Sequence, residues 1–166
     1  WCWGRNTYGQ VGDGTTNQRN SPVQVSGLTD AVEISGGYHF MCARRSNGTV
    51  ACWGRGSYGQ LGDGNTGDHH TPVQVSGLTN AVSLDLGHYH ACVRKGDGTS
   101  WCWGYNSHGD LGDGTTTQRN SPQRVSNDTG FIELRAAHVH TCARKANGTV
   151  WCWGYNSYGE LGNGAN

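Results

Sequence analysis

The sequence carries no net charge: twelve Lys and Arg balance twelve Asp and Glu over 166 residues. Without a surplus of either sign there is no overall field to draw in nucleic acid or an anionic membrane surface. No apolar run reaches the roughly 18 residues that a membrane-spanning helix needs, which excludes a helical span. Apolar residues are scarce as well, at 34% with a mean hydropathy of −0.66, and such a content suits short half-buried strands better than a thick two-layer core. The chain opens on Trp1, with neither an initiator methionine nor a signal-peptide pattern, so that start is not expected to be the native one.

Glycine and large aromatic residues are plentiful instead. Twenty-eight Gly, seven Trp and seven Tyr point to many tight turns and to aromatic packing, and they argue against long helices. A disordered chain is excluded by order of a different kind: Trp, Tyr, Val, Ile and Leu recur at fixed positions.

Those positions repeat every 50 residues. Trp1-Cys2-Trp3-Gly4, Ala51-Cys52-Trp53-Gly54, Trp101-Cys102-Trp103-Gly104 and Trp151-Cys152-Trp153-Gly154 fall in register without an insertion. So do Gly9 to Gly14, Gly59 to Gly64, Gly109 to Gly114 and Gly159 to Gly164. Within each unit, Val32 and Ile34 alternate with Glu33 and Ser35, as do Val82 and Leu84 with Ser83 and Asp85, and Ile132 and Leu134 with Glu133 and Arg135; period two means strand. A second strand is expected through Cys42, Cys92 or Cys142. It leads to a turn at Asn47-Gly48, Asp97-Gly98 or Asn147-Gly148, and a third strand runs through Cys-Trp-Gly. A fourth is expected at Val23–Val25, Val73–Val75 and Gln123–Val125, each following a proline that sets its start. Four strands per repeat make a propeller blade.

Cys-Trp-Gly, Gly-Gln-Leu-Gly-Asp-Gly, Pro-Val-Gln-Val-Ser-Gly-Leu and His-Thr-Cys-Ala together resemble the regulator of chromosome condensation repeat, in a bacterial-type form that carries cysteines. The resemblance covers the whole chain. Departures are local: Ala51 replaces the first Trp, Phe40 stands where His90 and His140 stand, and Ser126-Asn127-Asp128 replaces Ser-Gly-Leu. The resemblance implies an all-β fold of four-stranded antiparallel blades, with a closed ring of about seven blades requiring roughly 350 residues. The chain therefore reads as a partial propeller, one repeat domain over residues 1–166 with units 1–50, 51–100, 101–150 and a partial unit 151–166.

Cysteines recur at a spacing of ten, Cys42 to Cys52, Cys92 to Cys102 and Cys142 to Cys152. Around the Asn-Gly or Asp-Gly turn, a type I turn with a glycine bulge sets the two members of each pair directly opposite on adjacent strands, within reach of a disulfide. Each bond closes a loop of ten and contributes about 2–3 kcal/mol in the chain-entropy view. Two other readings stand beside this one: reduced, buried thiols, and zinc, which is disfavoured by the missing Cys-x-x-Cys knuckle. Cys2 has no partner in the repeat scheme. With the unfinished unit at 151–166, it predicts a chain that belongs to something longer or is completed by neighbouring copies.

No constellation for catalysis recurs. His88 with His90, and His138 with His140, form His-x-His pairs expected on one face of a strand, but the first repeat has Tyr38 and Phe40 there, so packing is the expected role. The Gly-rich Gly-x-Leu-Gly-Asp-Gly segment lacks the Gly-Lys-Ser/Thr of a phosphate loop and the acidic series of a calcium loop. Asp13, Asp63 and Asp113 are expected to cap turns. Asn47, Asn127 and Asn147 begin glycosylation-type triplets, and Asn47 and Asn147 are already explained by the hairpin turn.

The most variable stretches precede the prolines, and they are the candidate binding loops: Asn17, Gln18, Arg19, Asn20; Asp68, His69, His70; Gln118, Arg119, Asn120. The expected function is non-catalytic binding or scaffolding, by an extracellular, cell-surface or periplasmic propeller segment. Its partner would be a protein or glycan, or further copies of itself, with no metal or other cofactor. The alternatives are guanine-nucleotide exchange on a small GTPase, which the resemblance implies, and a metal enzyme using the histidine pairs. Peptide mapping under non-reducing conditions is expected to yield three linked pairs, 42 with 52, 92 with 102 and 142 with 152; six free thiols at those positions would remove the extracellular placement with the disulfides.

Overall fold

The structure, a computed structural model, describes residues 1–165; Asn166, the last residue of the partial unit, lies outside them. Thirteen strands and no helix occur among the described residues. β1 (Cys2–Gly4) pairs with β2 (Arg19–Val23). Two complete four-stranded antiparallel sheets follow. One has the order β3 (Ala31–Gly36), β4 (Phe40–Arg45), β5 (Val50–Gly54), β6 (His69–Gln74). The other has the order β7 (Ala81–Leu86), β8 (His90–Lys95), β9 (Ser100–Gly104), β10 (Arg119–Arg124). A three-stranded sheet of β11 (Phe131–Ala136), β12 (His140–Lys145) and β13 (Val150–Gly154) completes the series. The four sheets are successive blades of a partial propeller. Counted from Trp1 the sequence units and the blades differ in phase, since the complete sheets span residues 31–74 and 81–124.

Local chemistry accounts for the hairpins. In β4–β5 the Gly48 N–H donates to Arg45 O (2.9 Å) and the Arg45 N–H to Thr49 O (2.8 Å), with Gly48 at φ 76°. That is a type I turn closed by a glycine bulge. Asn47 Oδ1 accepts from both the Thr49 amide and its hydroxyl, at 3.0 and 2.7 Å. The turn sets the register Cys42↔Cys52, and its copies set Cys92↔Cys102 and Cys142↔Cys152. The sulfur atoms of the three pairs lie 2.07, 2.12 and 2.10 Å apart.

The fourth strand differs from the expectation. β2, β6 and β10 begin at Arg19, His69 and Arg119, so Pro22, Pro72 and Pro122 sit inside the strand rather than before it. The pairing allows it. Between Arg119↔Gly104 and Gln123↔Cys102 the outer strand advances four residues while its neighbour advances two, so the proline rides on a bulge of an edge strand where no ladder donor is needed.

The core lies between blades rather than within them. Phe40, Leu61, Val75, Leu84, Leu86 and Trp103 form one buried cluster across the second and third blades, and Leu111, Val125, Phe131 and Leu134 another across the third and fourth. The tryptophan of Cys-Trp-Gly is the joint. Trp53 and Trp103 are fully buried, and Trp53, Trp103 and Trp153 donate their indole N–H to Gln10 O (3.0 Å), Gln60 O (2.9 Å) and Asp110 O (3.1 Å) of the preceding Gly-x-Leu-Gly turn. The second glycine of that turn must be glycine for two reasons. At Gly62 φ is 69°, and a Cβ would stand 2.6 Å from Trp103 Nε1.

Gly62 and Gly64 separate these two effects, because Gly64 has φ 95° but nothing within 4 Å of a Cβ. Gly64→Ala is expected to cost about 1–2 kcal/mol for the left-handed backbone. Gly62→Ala should cost about 1–3 kcal/mol more for the indole clash, read as urea midpoints at unchanged m value. Equal losses at both positions would show that the indole contact contributes nothing.

Candidate functional site

Strand pairing brings two segments of each blade to one end. β4 begins opposite the end of β5 (Phe40↔Gly54), so the residues before one and after the other become neighbours. Arg55 N–H donates to His39 O (2.8 Å), Tyr105 N–H to Tyr89 O (3.0 Å) and Tyr155 N–H to Val139 O (2.9 Å). The tight turn that follows returns a second ring to the same place: Gly59 N–H donates to Gly56 O (2.7 Å) and Tyr58 N–H to Gln60 Oε1 (2.8 Å).

The result is an arc of rings running from blade to blade. Tyr8 meets His39 at 5.1 Å between centroids. Tyr58 meets Tyr89 at 5.0 Å and Tyr105 at 5.3 Å, both edge-on. His108 lies 6.2 Å from Tyr105 and 4.8 Å from Tyr155, and Tyr155 lies 6.2 Å from Tyr158, which is 87% exposed. The Arg55 guanidinium bridges the first gap, 5.3 Å from the Tyr8 ring, 5.4 Å from Tyr58 and 6.0 Å from Tyr89. A second row lies nearer the propeller axis. There Tyr38 leans on His88 (4.2 Å) and His88 stacks on His138 (4.1 Å), tied by Tyr38 N–H to His88 O and His88 N–H to His138 O at 3.0 and 2.9 Å. Burial holds His88 below the ordinary imidazole range, with His138 and His39 adding to the effect; burial followed by Arg5 and Arg55 does the same to His39.

The candidate loops flank this arc and are largely occupied with themselves. Asn17, Gln18, Asp68 and Gln118 are loop residues, whereas Arg19, Asn20, His69, His70, Arg119 and Asn120 open the outer strands. Arg19 and Arg119 pair with Asp13 and Asp113 at 2.5 and 2.8 Å, and His69 with Asp63 at 3.0 Å. Gln18 and Gln118 donate to Asn20 and Asn120 at 2.9 and 3.1 Å. Asn6 Nδ2 donates to Asn17 O at 3.0 Å, and Asp68 takes over this bracing where Gly56 replaces the asparagine, accepting from the Gly56 N–H at 2.9 Å. Asp13, Asp63 and Asp113 do cap turns, each accepting from the amide two residues on at 3.0 Å.

The histidine pairs do not share a face. His88 stacks in the axial row, while His90 is fully buried between blades with Nε2 3.0 Å from Thr141 Oγ1. The Thr141 hydroxyl proton goes to Asp110 O (2.8 Å), so His90 Nε2 must carry the hydrogen in that contact. The cause of the split is that strand β8 begins only at His90, leaving His88 in the preceding turn. Among the described residues no three of His, Cys, Asp and Glu gather as a metal site.

An all-β repeat array of four-stranded antiparallel sheets, with an aromatic surface on one end of its blades, is a segment of a β-propeller. The regulator of chromosome condensation (RCC1) repeat matches residues 1–44, 47–94 and 97–144, and a second form of that repeat matches 31–60, 81–110 and 139–160. The chain belongs to this family. It is similar in fold to Prp20p from Saccharomyces cerevisiae, at 19% identity and a TM-score of 0.80 over 95% of this chain and 42% of that one. It is similar also to human WBSCR16, at 22% identity and 0.78 over 91% and 41%. A third likeness is to the ectodomain of the Physcomitrella patens receptor kinase CR4, at 20% identity and 0.56 over 80% and 32%. The chain thus spans about two fifths of the length of the first two.

Burial pushes His90 down to about 3. The native state therefore keeps this ring neutral while the unfolded chain protonates it below about pH 6.5, so stability is full above that pH and falls as pH drops toward about 3, by up to about 1.4 kcal/mol per pH unit. His90→Phe installs the ring found at Phe40 in the preceding repeat and removes the proton. Urea midpoints at about pH 7 and about pH 4.5 are expected to differ less in the variant than in the wild type; an unchanged difference would show that His90 is not held neutral.

Proposed function

We propose that this chain is a non-catalytic binding or scaffolding segment of a larger secreted or cell-surface β-propeller protein, and that the aromatic arc is its binding surface. The observation that carries this reading is the arc itself. Tyr8, Tyr58, Tyr89, Tyr105 and Tyr155 are only partly buried, stand outside the interblade clusters, and nonetheless form a connected surface across four blades. Large rings with limited side-chain freedom suit recognition, because they present contact area at low entropic cost. The three cysteine pairs at bonding distance favour an oxidising compartment. Exchange activity on a small GTPase would place the same cysteines in a reducing one. Yeast Prp20p has binding properties toward Gsp1p and histones, and these are properties of that protein.

The test is a Tyr58→Ser/Tyr105→Ser double variant beside Gln18→Ala/Gln118→Ala, each screened against arrays of glycans and peptides. Arc substitution is expected to abolish the wild-type binding pattern while thermal unfolding stays nearly unchanged, and loop substitution to leave binding intact. Binding lost through the loop residues alone would overturn the assignment of the arc.

A further inference from the structure

Two arginines at one end of the arc are built alike. Arg5 Nε donates to Thr7 Oγ1 (3.2 Å) and Arg55 Nε to Ser57 Oγ (2.9 Å), so in each a hydroxyl two residues on fixes the inner nitrogen of the guanidinium. A guanidinium has five N–H donors, and this arrangement leaves the outer fork free. Among the described residues neither Arg5 nor Arg55 has a carboxylate within salt-bridge distance, whereas Arg19, Arg44, Arg45 and Arg119 each hold one at 2.5 to 2.8 Å. Arg55 lies over Tyr8 and Tyr58, and Arg5 holds the same repeat position one unit earlier, three residues before Tyr8; in keeping with that placement, both lower the protonation of His39. Contact of a guanidinium with ring faces holds it in place while leaving its edge available for two parallel bonds to one carboxylate.

The third and fourth repeats place Tyr105 and Tyr155 where the first two place Arg5 and Arg55. The arc therefore has a cationic end, supplied by the first two repeats, followed by an aromatic run in the third and fourth. Resting on the reading of the arc as the binding surface, we infer that it binds a linear acidic polysaccharide, with uronate carboxylates on the forks of Arg5 and Arg55 and sugar faces on the tyrosines beyond. The pre-set forks supply the charge complementarity, and the recurrence of rings suits a polymer whose own units recur. Side-chain ordering adds little cost, because hydroxyl clamps hold both arginines and ring contacts hold Arg55 as well.

Polygalacturonate, its fully methyl-esterified form and poly-glutamate are the three probes, measured by calorimetry with wild-type protein, with Arg5→Gln/Arg55→Gln and with Tyr58→Ser/Tyr105→Ser. Wild type is expected to bind the polyuronate, with an affinity that falls as salt rises, and to bind the ester and the polypeptide weakly. The arginine variant should lose roughly tenfold to a hundredfold in affinity for polyuronate, and the tyrosine variant a comparable amount. Equal binding of ester and acid would overturn the role of the arginines while leaving the arc as a binding surface. Poly-glutamate binding as tight as polyuronate would overturn the sugar assignment. Failure to bind polyuronate, with arc variants still losing other array ligands, would overturn this inference and spare the reading on which it rests.

Discussion

The contact on which the rest depends is the seating of one blade's tryptophan on the previous blade's Gly-x-Leu-Gly turn. It combines burial of a large ring with an indole hydrogen bond to a turn carbonyl of the preceding blade. It also explains why a chain with so little apolar content holds together. Each blade is thin and polar at its ends, so its apolar residues are concentrated at the joints, where one Trp and one Leu per repeat are covered from both sides.

Much of this is legible in the sequence because repetition turns one hairpin into three independent readings of the same geometry. The turn at Asn47-Gly48 and the cysteines ten apart constrain each other: only a register that puts Cys42 opposite Cys52 satisfies both. The outer strand departs from its expected start for a physical reason. Proline cannot donate to a ladder, which suggests a strand that begins after it, but at the edge of a sheet and on a bulge the missing donor costs nothing. The strand therefore starts three residues before the proline, at the arginine or histidine that also pairs with the loop aspartate.

The proposed site is less legible. Variability between repeats points to the loops before the prolines, and part of that variation is an alternative way of bracing one loop, as when Asp68 stands in for the missing asparagine at Gly56. The arc stays hidden because its members are distant in sequence and belong to different blades. Tyr58 meets Tyr89 and Tyr105, and Arg55 reaches back to Tyr8. One signal is available. Tyr8, Tyr58, His108 and Tyr158 recur just before Gly-x-Leu-Gly, outside any strand pattern, and an aromatic ring retained at a repeat position without a core to fill has a surface as its remaining place.

The cysteine pairs bear on that surface more than on the ring as a whole. Each lies inside a hairpin whose ladder already closes the loop, so it does little to hold one blade against the next. Its position along the strands is informative instead. Cys42↔Cys52 is two residues from Phe40↔Gly54, the last ladder pair before the bonded residues His39 and Arg55 lead into the arc. At about 3.4 Å per residue, the crosslink sits roughly 7 Å below that last pair. A covalent tie there would keep the two strand ends from fraying at the point where they deliver neighbouring rings, and cysteines at the same register lie beneath Tyr89 and Tyr105 and beneath Val139 and Tyr155. Aromatic rings recognise a ligand only if their mutual spacing survives thermal motion, and strand ends are where a sheet is least able to guarantee it.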